Sequence, residues 1–354
     1  MKHFLEFDSK LVRNQPNLPE RELFHELVDQ IWDRNWLTND GPLVRQLERE
    51  LEVVTGAAHA VAVANGTLGL MVAAKALSID GDFICPSFTF VATAHALYWQ
   101  GGDPIFCDVS PRSFNLDPDG VHVERDRFTT GIVATQVFGT PLDPELREVA
   151  DEYHVPILVD SAHALGCGLP ILGDAEVLSL HATKVAHACE GGAILTNSPD
   201  IAEKCRLFRQ FGFQGQANVV SEGINAKLSE LHAAMGLLSL RDLEAQISHN
   251  REEYLEYMRG LQGISQVNLC LTGRNYHYVP IMVDDRDDLA AYLLSKGVLA
   301  RRYFYPGCHR CEPYRSFNPH LSLPHTESLC DRILILPNHS AGNVSSIIKE
   351  FYHA

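Results

Sequence analysis

The chain has 354 residues, 45% of them hydrophobic and 21% charged, proportions that exclude a disordered or fibrous protein. Its 45 acidic residues outnumber the 29 lysines and arginines, a formal charge of −16, and no basic cluster stands out. A nucleic-acid partner is therefore not expected. Nor is a membrane, since no run approaches the roughly 20 apolar residues that span a bilayer.

The first forty residues read as an N-terminal arm and helix, ending in WLTNDGP (36–42) ahead of a helix VRQLERELEVV. From Ala60 onward two periodicities alternate. AVAVAN (60–65), DFICPSF (82–88), DPIFCDV (103–109), GIVATQVF (131–138) and VPILVD (155–160) are strand-like and apolar throughout. Between them LGLMVAAKAL (68–77), VATAHALYWQ (91–100) and LDPELREVADEYH (142–154) are helical. Strands without polar alternation are buried on both faces, as parallel strands covered by helices are. The fold class is α/β, with a mostly parallel central sheet flanked by helices. After GGAILTN (191–197) a long helix is expected from about Ser229 to Tyr257, broken or bent within that span. YHYVPIMVD (276–284), a helix DDLAAYLLSKG (287–297), a strand VLARRYFYP (298–306) and a terminal helix SSIIKEFYHA then suggest a smaller α+β unit. The expected division is 1–40 for the arm, 41–245 for a large α/β domain and 246–354 for the small domain.

Ligands of open parallel sheets gather at the carboxyl ends of the strands, and four segments place reactive groups there. Asn65-Gly66-Thr67 joins a strand to a helix whose free N–H groups suit a phosphate, although a plain helix cap is the simpler reading. Asp160 ends an apolar strand, three residues before His163; the carboxylate is a loop cap or the partner of a cation, and the imidazole a surface group or a ring-stacking one. Lys184 lies between Ser179-Leu180-His181 and Gly191-Gly192. A lone lysine is normally solvated, but these small, apolar flanks suggest one withdrawn from water, whose lowered pKa frees the amine for Schiff-base formation. Ser229 and Glu230, after Asn225, could simply open the next helix. Taken together, an amine, a buried carboxylate, a phosphate cradle and a ring-stacking group are what pyridoxal 5′-phosphate requires.

With ANGTLGL, CPSFTFVATAHAL, GGDPIFCDV, VDSAHALG, SLHATK, EGGAILTN, NAKLSELHAAMG and RRYFYPGCH in that order, the chain resembles the DegT/DnrJ/EryC1/StrS sugar aminotransferases, fold-type I (aspartate aminotransferase-like) enzymes. The resemblance runs from about residue 41 to residue 309. It implies that Lys184 carries the cofactor as an internal aldimine and shuttles the proton, that Asp160 partners the pyridine nitrogen, and that His163 lies over or beside the ring. Gly66, Thr67 and Ser179 would contact the phosphate. Asn225 would do so from the neighbouring subunit, making a homodimer with a shared active site. Phe88 is the candidate for stacking on the opposite ring face, and His309 lies near the substrate mouth or at the surface.

Among the family's branches the chain looks most like enzymes that aminate C4 of dTDP-4-keto-6-deoxyglucose with L-glutamate, in bacterial lipopolysaccharide and O-antigen biosynthesis. A C3 aminotransferase of a dTDP-3-keto-6-deoxyhexose is the nearest alternative. A non-catalytic sensor that binds the cofactor and an α/β nucleotide-binding protein without it are others. There are departures from the family pattern. Ser161 follows Asp160 where alanine is usual, and Lys227 stands where an arginine is common. Lys184 is retained, whereas dehydratase relatives carry histidine there, so transamination is expected.

The nine cysteines are scattered and read as reduced thiols, which with the absence of a secretory leader points to the cytoplasm. Cys308-His309-Arg310-Cys311 has a CxxC spacing but lacks a second ligand pair, so no metal site is expected. His95, His187 and His232 are expected to pack or to lie at the surface.

Overall fold

The computed structural model describes residues 15–124, 128–215, 217–317 and 319–353. Helices α1 (Arg21–Arg34) and α2 (Pro42–Thr55) precede β1 (His59–Val63), α3 (Gly66–Ala76), β2 (Asp82–Pro86), α4 (Val91–Tyr98) and β3 (Pro104–Cys107). Then come α5 (Pro118–Glu124), β4 (Thr129–Thr135), α6 (Glu145–Tyr153), β5 (Ile157–Asp160), β6 (Ala175–Ser179), β7 (Gly192–Thr196) and α7 (Pro199–Phe208). A small ribbon, β8 (Phe213–Gln214) with β9 (Asn218–Val219), leads to α8 (Glu230–Arg241) and α9 (Leu243–Leu261). The chain ends in β10 (Asn268–Leu269), β11 (Val279–Met282), α10 (Arg286–Ser295), α11 (Pro324–Arg332), β12 (Ile333–Leu336) and α12 (Ala341–His353).

Seven strands form one sheet in the order β1-β7-β6-β5-β4-β2-β3. β6, β5, β4, β2 and β3 run parallel, and β7 lies antiparallel between β1 and β6. The parallel strands are buried along almost their whole length, because helices cover both faces. The β6–β7 connection is therefore a long hairpin rather than a crossover. Its stem continues beyond the strands through Leu180 N–H to the Gly191 carbonyl (2.8 Å) and Ala182 N–H to the Cys189 carbonyl (2.7 Å). Gly192 lets this stem meet the start of α3: a Cβ there would lie 2.8 Å from the Leu178 carbonyl and 2.9 Å from the Gly66 nitrogen.

The expected bent helix is two helices, α8 and α9, meeting at Asp242. Residue 245 lies inside α9: Leu243 and Ile247 pack on the large sheet's core, while Tyr257 and Leu261 pack with β11, β12, α10 and α12. A second, antiparallel sheet runs β10-β11-β12. The strand expected over 298–306 does not form. Only Arg301 pairs, with Ile335, because Tyr303 and Phe304 stack on each other (5.0 Å between ring centroids) instead of alternating across a sheet. Strand β12 and helix α11 were not foreseen; ILIL is too short for periodicity to decide its type.

Glu230 ties the start of α8 to the start of α2. Ser229 caps α8, and the fully buried Glu230 carboxylate accepts the N–H groups of Leu43 (3.0 Å) and Val44 (2.9 Å) at the start of α2. Gly41 makes room, since a Cβ there would lie 2.4 Å from the Glu230 carboxyl carbon. Glu230→Ala would leave both buried amides without an acceptor and remove an anion from a helix N-terminus. A loss of about 2–4 kcal/mol is expected, read as a lower urea midpoint, with Glu230→Gln losing less.

Candidate active site

A cavity of about 420 Å³ opens at the carboxyl edge of the large sheet. Asp160 ends β5, Ser179 ends β6 and Thr135 ends β4, so the three strands deliver their last side chains to one place. The turn Asn65-Gly66-Thr67 closes one side, and the β6–β7 hairpin brings Lys184 across the other. Asn65 caps α3 by accepting the Leu68 N–H (2.9 Å). The amides of Gly66 and Thr67, which have no acceptor within the helix, are left for a ligand.

Asp160 is buried, its Oδ2 accepting the Thr93 hydroxyl (2.7 Å) and its Oδ1 the Ala162 N–H (3.1 Å). Burial pushes its pKa up, against those two hydrogen bonds and the charge of Lys184. Lys184 responds in the opposite sense. Burial brings its pKa down to about 8, with the Asp160 carboxylate resisting and Arg301 assisting. Its Nζ donates to the Tyr278 hydroxyl at 3.1 Å. Burial and the nearby lysine hold His163 well below the ordinary imidazole range, so it is neutral, and its Nδ1 accepts the Phe138 N–H at 3.1 Å.

Gly66, Thr67, Asp160, His163, Ser179 and Lys184 thus line one cavity. Phe88, Asn225 and His309 do not. Phe88 is enclosed by Phe114, Phe138 and Phe304, with ring centroids 6.3, 6.4 and 5.1 Å away. The backbone bends at residues 87–89, directly after β2, and Phe90 lines the cavity instead. Asn225 is exposed, and its Oδ1 accepts from Lys227 Nζ at 2.7 Å. His309 is buried behind the wall, its Nδ1 2.6 Å from Ser87 Oγ and its Nε2 3.4 Å from Glu327.

Several contributors escaped the sequence reading. Thr89, Thr93 and Thr135 form a hydroxyl chain leading to Asp160, at 2.8 Å (Thr89–Thr93) and 3.0 Å (Thr89–Thr135). Thr135 ends β4 as Asp160 ends β5, but the sequence pattern carries that strand on to Phe138 and hides it. Arg301, Tyr303 and Phe304 reach the cavity from the non-strand segment before β12, and Tyr278, just before β11, meets the Lys184 amine from behind the lining. His95, His187 and His232 are engaged by the Tyr314 hydroxyl, the Asn17 carbonyl and the Ser229 hydroxyl. The nine cysteines are free thiols, and Cys308 donates to the Thr89 carbonyl.

The donor set fits a flat heterocycle with a basic ring nitrogen, an amine-reactive carbonyl and a phosphate tail. The buried carboxylate, the desolvated amine and the open helix N-terminus supply one complementary group for each.

A model of the DegT/DnrJ/EryC1/StrS aminotransferase family matches residues 19–348. The chain is 33% identical over 352 residues to a dTDP-4-amino-4,6-dideoxy-D-glucose transaminase of Shigella dysenteriae, covering 95% of each chain. It is 40% identical to DesI, solved in the presence of its TDP-sugar product, with a TM-score of 0.92 over 97% of this chain and 93% of that one. It is 25% identical to NtdA from Bacillus subtilis, solved with bound cofactor PMP, with a TM-score of 0.85 over 94% and 81%.

Proposed function

We propose that this chain, which belongs to the DegT/DnrJ/EryC1/StrS aminotransferase family, transfers the amino group of L-glutamate to C4 of dTDP-4-keto-6-deoxyglucose. The product is the dTDP-4-amino-4,6-dideoxy sugar, a precursor for bacterial surface polysaccharide. The observation that carries this reading is the pair Asp160 and Lys184, a buried carboxylate and an amine brought down to about pKa 8, facing one cavity beside an open helix N-terminus.

Pyridoxal 5′-phosphate, when bound, supplies an aldehyde that captures amines and a cationic ring that stabilises negative charge on the carbon beside the captured nitrogen. The residues of the chain do the rest. Asp160 is aimed by Thr93 and Ala162 to keep a proton on the ring nitrogen. Gly66, Thr67 and Ser179, which line the cavity together, would receive the phosphate. His163 presents an uncharged flat ring, which does not repel a cationic neighbour. Lys184 would hold the aldehyde, and its amine, with a pKa of about 8, is suited to accept and return a proton near neutral pH.

The protein is proposed to work in the cytoplasm as a homodimer in which Asn225 of each protomer reaches the partner's phosphate site. Exposed Asn225, outside its own chain's cavity, is consistent with that assignment. Among the described residues no helix is long and apolar enough to cross a membrane.

The test is turnover of dTDP-4-keto-6-deoxyglucose with L-glutamate, followed by NMR of the product and measurement of 2-oxoglutarate. Nitrogen on C4 with stoichiometric 2-oxoglutarate is expected. Nitrogen on C3 of a 3-keto substrate, with the 4-keto sugar untouched, would replace this reading by the C3 one. A cofactor-loaded protein that releases no 2-oxoglutarate would leave only a binding role.

A further inference from the structure

Two consecutive residues of the small domain grip two consecutive residues of the lysine hairpin. His277 and Tyr278 lead into β11, and each reaches across to the β6–β7 connection. The His277 Nε2–H donates to the Thr183 carbonyl at 2.7 Å, while the Tyr278 hydroxyl accepts from Lys184 Nζ at 3.1 Å. The clip is rigid. Both residues are buried, and His277 N–H donates to Asn275 Oδ1, whose own amide donates to the carbonyls of His163 and Leu165. The His163 ring lies 4.2 Å from the Tyr278 ring and braces it from the other side. Tyr278 does not itself line the cavity, so it meets whatever binds there only through the lysine.

We infer that Tyr278 is the positioning residue for Lys184, its hydroxyl receiving the lysine N–H and holding the amine at the cavity whenever that nitrogen is not covalently engaged. Burial keeps Tyr278 protonated at working pH, so the hydroxyl serves an ammonium as acceptor and a neutral amine as donor. His277, brought by burial down to about 4, stays neutral, and this fixes its Nε2–H on Thr183. The device gives the otherwise flexible lysine a single resting place set by the small domain, and so makes the amine's reach depend on how that domain sits. The inference rests on the proposed transamination for its purpose, but not for its test.

The groups facing the Lys184 amine are Asp160 from β5, His163, His277, Tyr278 and Arg301. In apoprotein, the pH dependence of Lys184 acetylation, followed by peptide mass spectrometry, should show a midpoint near 8. Tyr278→Phe keeps the volume and the desolvation but removes an acceptor for the ammonium, so the midpoint should fall by roughly half to one unit. In loaded enzyme, kcat should drop about 10- to 100-fold with KM for L-glutamate within about threefold. Should Tyr278→Phe fold poorly, 3-fluorotyrosine placed at 278 in the full chain gives a second measurement. Its fluorine resonance should titrate with the Lys184 midpoint and lose that titration in Lys184→Met. An unmoved acetylation midpoint in folded Tyr278→Phe, or a fluorine signal indifferent to Lys184→Met, would overturn the inference. Failure of wild-type protein to take up pyridoxal phosphate on Lys184 would instead overturn the functional reading and leave the apoprotein result to be judged by itself.

Discussion

Lys184→Ala is expected to lower transamination by at least about 10,000-fold, because the proposed mechanism gives this one side chain both the cofactor aldehyde and the proton. The fold should be unaffected. The hairpin that carries Lys184 is held by backbone bonds at Leu180, Ala182 and Ala188, and the side chain's own hydrogen bond is the one to Tyr278. Removing a desolvated amine also removes a group that burial disfavours. Borohydride treatment followed by peptide mass spectrometry is the decisive measurement: wild-type protein should yield a reduced cofactor adduct on the peptide bearing Lys184, and the variant none. An adduct on another lysine, with activity retained, would remove Lys184 from its assigned role. The same variant tests the shared site. Mixed dimers of Lys184→Ala and Asn225→Ala chains should regain part of the activity that each lacks alone.

Asp160→Asn should have the next largest effect, a fall in kcat of about a thousandfold, with the opposite consequence for the empty protein. Asparagine can still accept the Ala162 N–H, but it carries no charge to hold a proton on a ring nitrogen. Burial raises the Asp160 pKa, so the folded chain binds that proton more tightly than the unfolded one. Stability is therefore lost as the pH rises from the unfolded carboxyl's range through the folded pKa, and at neutral pH the ionised group weighs against folding. Neutral asparagine removes that burden. Apo Asp160→Asn should melt at the same temperature as wild type or higher, and should lose the wild type's fall in stability across that acidic window. A marked drop in melting temperature would mean that Asp160 serves the fold rather than the cofactor.

Much of the site was legible because its residues sit where chain direction alone places them. Asp160 terminates an apolar strand and Asn65-Gly66-Thr67 joins a strand to a helix, and strand carboxyl ends in a parallel sheet converge. Lys184 was legible through its small, glycine-rich flanks, which are what a hairpin stem packed against the start of α3 demands. Phe88 misled for a local reason: a bend after β2 carries its ring into an aromatic cluster and leaves Phe90 at the cavity. The segment 298–306 misled because β-branched and aromatic composition suits a strand, whereas its rings had better partners among Phe138, Tyr278 and one another.

By itself the order of apolar strands and helices determined an α/β fold with its reactive groups along one edge, since periodicity and burial on both faces are properties of each segment alone. The tertiary structure decided the rest: the antiparallel placement of β7, the threonine relay behind Asp160, the buried Glu230 cap on α2, and Tyr278 against Lys184. The relay, the cap and the lysine contact all depend on bonds between residues distant in the chain, from 46 apart for Thr89 and Thr135 to 187 for Glu230 and Leu43. Hydrogen bonds and desolvation act over a few ångströms of space, and only the packed chain brings such residues within that range.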